Sequence, residues 1–198
     1  MVFELLKLNV DITDNDFNSI YSEKIRMLAQ KHWTEVSVAK AASEFLVDRP
    51  GTKVMDIGSG VGKFCLIGAA NTKGHFTGVE QRLQLVRISR ELSSSFHIHN
   101  VKFIHDNITS IKFSDYDAFY FYNPFYENLD FHNRIDDTVQ LNAQIFDAYS
   151  LYVVEQFSSL RSGTRLVTYC TSRNIVPSSF KLLDSLRGEK LNFWEKIE

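Results

Sequence analysis

Val54-Met55-Asp56-Ile57-Gly58-Ser59-Gly60-Val61-Gly62-Lys63 decides the fold of this chain. A short apolar run closed by alternating glycines is a buried strand entering a tight turn, with a helix to follow. Glycines permit positive φ and let the backbone approach a ligand closely. The N-terminus of the following helix offers free N–H groups to an anionic group. In open parallel sheets, ligands lie beyond the carboxyl ends of the strands, at the point where strand order reverses. The spacing narrows the ligand. A dinucleotide fingerprint, GxGxxG, requires glycine at position 63, which is Lys63. A phosphate loop, GxxxxGK[ST], fails because Phe64 follows Gly62-Lys63.

Working outward, strands and helices alternate. Strands are expected over Lys53–Ile57, His75–Val79, Val101–His105, Ala118–Tyr122 and Thr164–Cys170. Helical spacing is expected over Gly62–Ala70, Arg82–Phe96 and Thr138–Leu160, the last with Leu141, Ile145, Phe146, Tyr149, Tyr152 and Val153 on its apolar face. Upstream, Ile20–Gln30 and the stretch from Thr34 suit helices, the second stopped by Pro50-Gly51. Phe180–Leu186 and Leu191–Ile197 flank Arg187-Gly188-Glu189-Lys190, a hairpin signal. The expected architecture is a single α/β domain of three layers. Its mostly parallel, seven-stranded Rossmann-like sheet ends in an antiparallel hairpin and carries an N-terminal helical cap. Residues 1–50 form the arm and cap, and residues 51–198 the core.

Asp-x-Gly-x-Gly-x-Gly at the end of a first strand resembles the nucleotide-binding motif of the class I S-adenosylmethionine-dependent methyltransferases. The resemblance spans roughly Thr34 to Cys170, and that family's usual ending matches the terminal hairpin. It implies S-adenosyl-L-methionine as cofactor, with Gly58, Ser59, Gly60 and Gly62 cradling its methionine end and Asp56 orienting it. Glu80, ending the second strand beside Gln81, is placed to accept hydrogen bonds from ribose hydroxyls. The resemblance further assigns Asp106, Asn107 and Ile108 to the adenine, and the end of the fourth strand to the acceptor.

That fourth strand ends in Asn123-Pro124-Phe125-Tyr126. It is similar to the Asn-Pro-Pro-Tyr signature of methyltransferases acting on planar amide or amine nitrogens, and departs from it at Phe125. The similarity implies that Asn123 accepts from the target nitrogen and borders the cofactor, and that Tyr126 stacks on the target. Trp33, Pro124, Phe125 and Tyr126 are expected to bind the acceptor, the alternative being that Pro124 and Phe125 only shape the pocket floor. Glu127–Arg134 is expected to loop over the acceptor. Trp33 or His32 is a candidate to line the pocket. A second resemblance, carried by Asp56–Gly62 and Gly78-Val79-Glu80, is to the non-SET histone-lysine methyltransferases, which keeps a protein lysine open as acceptor.

Composition sets the outer bounds. At 198 residues, 44% hydrophobic and 23% charged, the chain is an ordinary soluble domain that needs no disulfide or structural metal. A formal charge of −2 supplies no field for nucleic acid, so a small molecule or protein is favoured as acceptor. Cys65 and Cys170 lie in apolar runs without CxxC spacing, which reads as two buried thiols in a reducing cytoplasm. The His97/His99 pair lacks nearby ligands, so no metal is expected. No apolar run reaches a membrane-spanning length, and no signal peptide is recognisable. Two other functions remain open at this level: a Rossmann-type NAD(P)-binding oxidoreductase and a non-catalytic cofactor-binding module.

Overall fold

The computed structural model describes residues 2–29, 33–130, 132 and 134–198. Seven strands form one sheet: β1 (Lys53–Ile57), β2 (His75–Glu80), β3 (Val101–His105), β4 (Ala118–Phe121), β5 (Arg165–Tyr169), β6 (Phe180–Leu186) and β7 (Leu191–Lys196). Their order is β3-β2-β1-β4-β5-β7-β6. The first five are parallel, and β7 inserts antiparallel between β5 and β6. Strand order reverses between β1 and β4, which puts the switch point at the carboxyl ends of these two strands.

Among the described residues the helices include α1 (Val2–Lys7), α2 (Asp14–Asn18), α3 (Glu23–Arg26), α4 (Val36–Leu46), α5 (Lys63–Asn71), α6 (Leu83–Ser95) and α7 (Ala143–Ser158). They divide between the two faces of the sheet. Buried residues of α1, α2, α4, α5 and α6 form one core with Val54, Phe76, Tyr120 and Val167. Val153 and Phe157 of α7 form the other with Met55, Phe119, Phe121 and Leu166. Strand β4 shows why one sequence serves both. Its four residues are all buried, and the period of two sends Ala118 and Tyr120 to one face and Phe119 and Phe121 to the other. On the second face, Phe157 meets Phe113, Phe119 and Phe121 edge-on at centroid distances of 5.7, 5.5 and 6.4 Å.

The N-terminal segment is built into the structure. Phe3, Leu6 and Phe17 are buried in the first core. Asp14 Oδ1 accepts from the backbone N–H of Val36, the first residue of α4, at 3.1 Å. Three expectations need correction here. The helix expected over 20–30 starts late and is interrupted: Ser22 is extended, Tyr21 turns inward to donate to the Val61 carbonyl at 3.3 Å, α3 ends at Arg26 and residues 27 and 28 form a turn, while residue 30 lies outside the described residues. The long helix begins at Ala143, not Thr138. Asp136 holds residue 138 in a turn, and Asn142 caps the helix through a 2.9 Å bond from Ile145 N–H, so Leu141 lies outside it. Cys65 is buried, whereas Cys170 is exposed one residue past β5.

Candidate active site at the switch point

The glycine turn after β1 is tied to β2: the N–H groups of Gly58 and Ser59 both donate to the Val79 carbonyl, at 3.0 and 2.9 Å. Gly58 (φ +77°) admits the neighbouring strand end, since a Cβ there would fall 2.5 Å from Pro124 Cβ. Gly62 (φ +79°) is the N-cap of α5, and a Cβ on it would lie 2.5 Å from the Phe103 ring. It supports the turn from behind and does not line the cavity, contrary to its expected part in a cradle. Gly60 is different. A Cβ added to it meets nothing within 4 Å, so it borders open space.

That space is a cavity of about 380 Å³ at the switch point. It is lined by Asp56, Gly58, Ser59, Gly60, Glu80, Gln81, Asp106, Asn107, Ile108, Asn123, Pro124, Phe125, Tyr126 and Trp33. Every expected site residue except Gly62 therefore borders it. His32 lies outside the described residues.

Asp56 is nearly inaccessible, and burial pushes its carboxyl from an ordinary 3.8 up to about 7, against a 3.6 Å hydrogen bond from Cys65 Sγ that lowers it. Glu80 accepts from Gly60 N–H at 3.1 Å and from Arg82 N–H at 2.8 Å. Burial raises its pKa against these bonds and the charge of Arg82. Asp106 is exposed and accepts from Asn107 N–H at 2.7 Å. Asn107 donates to the Tyr149 hydroxyl, and buried Ile108 supplies an apolar wall. At the far end, Asn123 has φ +40° and Cys170 has φ +49°. Non-glycine residues at positive φ are uncommon and cluster at functional sites. Both lie just past adjacent strands and line the cavity. Tyr126 is half exposed, while Phe125 packs against Phe121 and Tyr149 at 5.7 and 5.3 Å.

Sequence reasoning missed four contributors. Lys63 is buried, ion-paired with Asp14, and 5.7 Å from the ring centres of both Phe17 and Trp33. Burial pulls its pKa down while Asp14 holds it up. Thr34 and Tyr120 share a buried 2.9 Å hydroxyl contact, and Tyr120 stacks on Phe64 at 3.9 Å. Arg82, 3% exposed, pairs with Glu127 and Asp136. Only Gly62-Lys63 carried any signal, as a failed phosphate loop; the partners of Arg82 are 45 and 54 residues away in sequence.

Two observations test whether these residues fit an amino-acid-bearing nucleoside. Ser59 Oγ is buried beside Gly60 with no hydrogen-bond partner among the described residues, and Gly60 opens on free volume. A buried hydroxyl without a partner is costly, and a polar ligand would satisfy it. The acids Asp56 and Glu80 suit the amine and hydroxyl groups of such a molecule. The residues present fit.

The comparisons agree with the fold. The family model for the methyltransferase domain matches residues 48–170. The chain belongs to that family, the S-adenosylmethionine-dependent class I methyltransferases. Among solved structures it is similar to TrmN from Thermus thermophilus (TM-score 0.64, 16% identity), covering 87% of this chain and 52% of that one. The chain thus spans about half the length of that protein. It is also similar to an RNA methyltransferase from Salinibacter ruber in complex with S-adenosyl-L-homocysteine (TM-score 0.59, 19% identity, 84% and 95% covered). A third is an S-adenosylmethionine-dependent O-methyltransferase from Thermotoga maritima (TM-score 0.57, 15% identity, 89% and 72% covered). At these identities the likeness is one of fold. No curated protein matches the chain by sequence. The family assignment sets aside the oxidoreductase reading, which the glycine spacing already opposed.

Proposed function

We propose that the chain transfers a methyl group from S-adenosylmethionine to a nitrogen of a small molecule or a protein, with Asn123 and Tyr126 facing the acceptor. One observation carries this reading: a single switch-point cavity brings Asp56, Ser59 and Glu80 together with the strained end of β4. When bound, the cofactor supplies an electrophilic methyl on a positively charged sulfur. The chain supplies placement. Ser59 and Gly60 hold the amino-acid end and Asp56 faces its amine. Glu80 takes the ribose, with Gln81 beside it, and Asp106, Asn107 and Ile108 take the adenine. The Asn123 carboxamide accepts from the acceptor nitrogen, and Tyr126 offers its ring to the acceptor plane. Phe125 and Pro124 floor the cavity and Trp33 walls its N-terminal side, excluding water. A displacement with a good leaving group needs alignment and desolvation more than a strong base.

The electrostatics favour a small-molecule or protein acceptor over nucleic acid. Lys63 and Arg82 line the cavity but are 4% and 3% exposed, and both are committed to carboxylates. Neither offers a free cation to phosphate, the contact that dominates nucleic-acid affinity. No helix among the described residues is long and apolar enough to cross a membrane. Two free cysteines accord with a cytoplasmic setting.

The test has two parts. Calorimetric titration with S-adenosylhomocysteine is expected to show one site, lost in Gly60→Ala, which strains the cavity-lining turn at φ +52°; silence in the parent protein sinks the reading. Purified protein with methyl-labelled cofactor and a fractionated cell extract is expected to label small molecules or protein. Label confined to nucleic acid overturns the acceptor class. Binding without transfer returns the chain to a cofactor-binding module.

A further inference from the structure

Arg82 lies just past β2 and joins three carboxylates from three segments. Its Nε donates to Asp136 Oδ1 at 3.0 Å and its Nη2 to Glu127 Oε2 at 2.9 Å. Its Nη1 faces Glu80 Oε1 at 3.9 Å, and its backbone N–H donates to the same oxygen at 2.8 Å. The guanidinium is 3% exposed, against 6%, 12% and 34% for the side chains of Glu80, Glu127 and Asp136. Three acids around one buried cation leave an excess of negative charge, so each carboxylate depends on Arg82 to stay in place. The acids also shape backbone. Glu127 Oε2 accepts from Ile135 N–H at 2.8 Å, and Asp136 Oδ1 from Thr138 N–H at 3.0 Å. Glu127 belongs to the 3-10 turn Tyr126–Asn128, directly after the acceptor-facing Asn123-Pro124-Phe125. Buried Asn128 continues the chain of contacts by accepting from Asn142 N–H, the cap of α7, at 3.2 Å.

We propose that Arg82 is a positioning residue that couples the two halves of the active site: it ties the ribose-side carboxylate of Glu80 to the segment carrying Tyr126. The proposal rests on the methyltransferase reading for what each half binds. A fork-shaped cation with two edges on the acceptor segment and one toward Glu80 transmits a rearrangement of either side to the other. Glu80 answers to whatever occupies the cavity, because one oxygen already holds Gly60 N–H and the other holds Arg82 N–H. Coupling is reciprocal by linkage, so cofactor occupancy steadies residues 126–128 and 134–138, and a steadied segment retains cofactor.

Hydrogen exchange on the full chain, with and without S-adenosylhomocysteine, reads this directly. In the parent protein the ligand is expected to slow exchange at the Ile135 and Thr138 amides about tenfold, a coupling of ordinary size. In Arg82→Gln the ligand still binds but this slowing disappears, and Arg82→Lys, which keeps the charge without the fork, restores part of it. The double variant Glu127→Gln, Asp136→Asn removes the charge from both acceptor-side partners while leaving Glu80 untouched, and is expected to give the same loss, which covers the case in which Arg82→Gln does not fold. A structural role alone would loosen these amides equally with and without ligand. Binding without any slowing in the parent protein overturns the proposal while leaving the methyltransferase reading intact, as does unchanged slowing in both variants. Absence of binding in the parent protein overturns both.

Discussion

Asp56 holds a carboxyl in a place that penalises its charge. With its pKa raised to about 7 in the folded protein, the folded state binds a proton that the unfolded chain has released across the interval from about 4 to 7. The free protein therefore loses stability as pH rises through that interval and levels off above it. Ligand binding runs the opposite way: an amine facing Asp56 favours the ionised form, so affinity for S-adenosylhomocysteine rises with pH from 5 to 8. Asp56→Asn removes both dependences. It is expected to raise the melting temperature at pH 8 by a few degrees, since about 1 kcal/mol moves a domain of this size by roughly 2–4 °C. It should also weaken binding at least tenfold. Melting curves and titrations at pH 5, 7 and 8 check both; a variant that melts lower at pH 8 than its parent contradicts the account. The residue types at the site were legible because strand ends and glycines punctuate the sequence. Their pairings were not. Arg82 finds its acids only after the chain has folded, and Lys63 finds Asp14 across 49 residues.

At the scale of elements, legibility tracked burial. Strands β1, β3 and β6 match their expected bounds, and β2, β4, β5 and β7 differ by one or two residues, because apolar runs end at turn residues whatever lies around them. Helix α7 shows the opposite. Its apolar spacing extends upstream past the true start, and the stop comes from polar contacts that no periodicity encodes: Asp136 turning residue 138, and Asn142 capping. Asn142→Ala leaves the Ile145 N–H without its acceptor and is expected to cost about 1 kcal/mol. Because the Asn142 backbone is also held by Asn128, the same variant should speed exchange at residues 126–128. Thermal melts and amide exchange measure the two effects, and protection there equal to the parent's would separate the cap from the acceptor segment.

Across the whole molecule, two apolar cores share one sheet, and β4 belongs to both. Unfolding either face exposes the other, so the chain is expected to melt as one unit. Its two tryptophans report on opposite faces: Trp33 packs beside Tyr21 and Lys63, while Trp194 is buried in the second core with its indole N–H donating to Thr168. Fluorescence melts of Trp33→Phe and Trp194→Phe are each expected to coincide with the loss of helical signal in the same variant. Separate midpoints would mean that the faces unfold independently. Fold class was readable from the order of elements alone. The N-terminal segment was not, because its four- to six-residue helices are too short for periodicity and owe their order to Phe3, Leu6 and Phe17 entering a core built by later residues.

The position of β7 has a consequence for how the protein is made. An inner strand that follows its outer neighbour in sequence reaches the sheet last, so a nascent chain leaving the ribosome carries β5 with one side unpaired until residues 191–196 emerge. Leu166, Val167 and Tyr169 lie along that open edge, the kind of surface that templates intermolecular pairing. Until β7 docks, during synthesis or refolding alike, that edge is where this protein is expected to pair with other copies of itself.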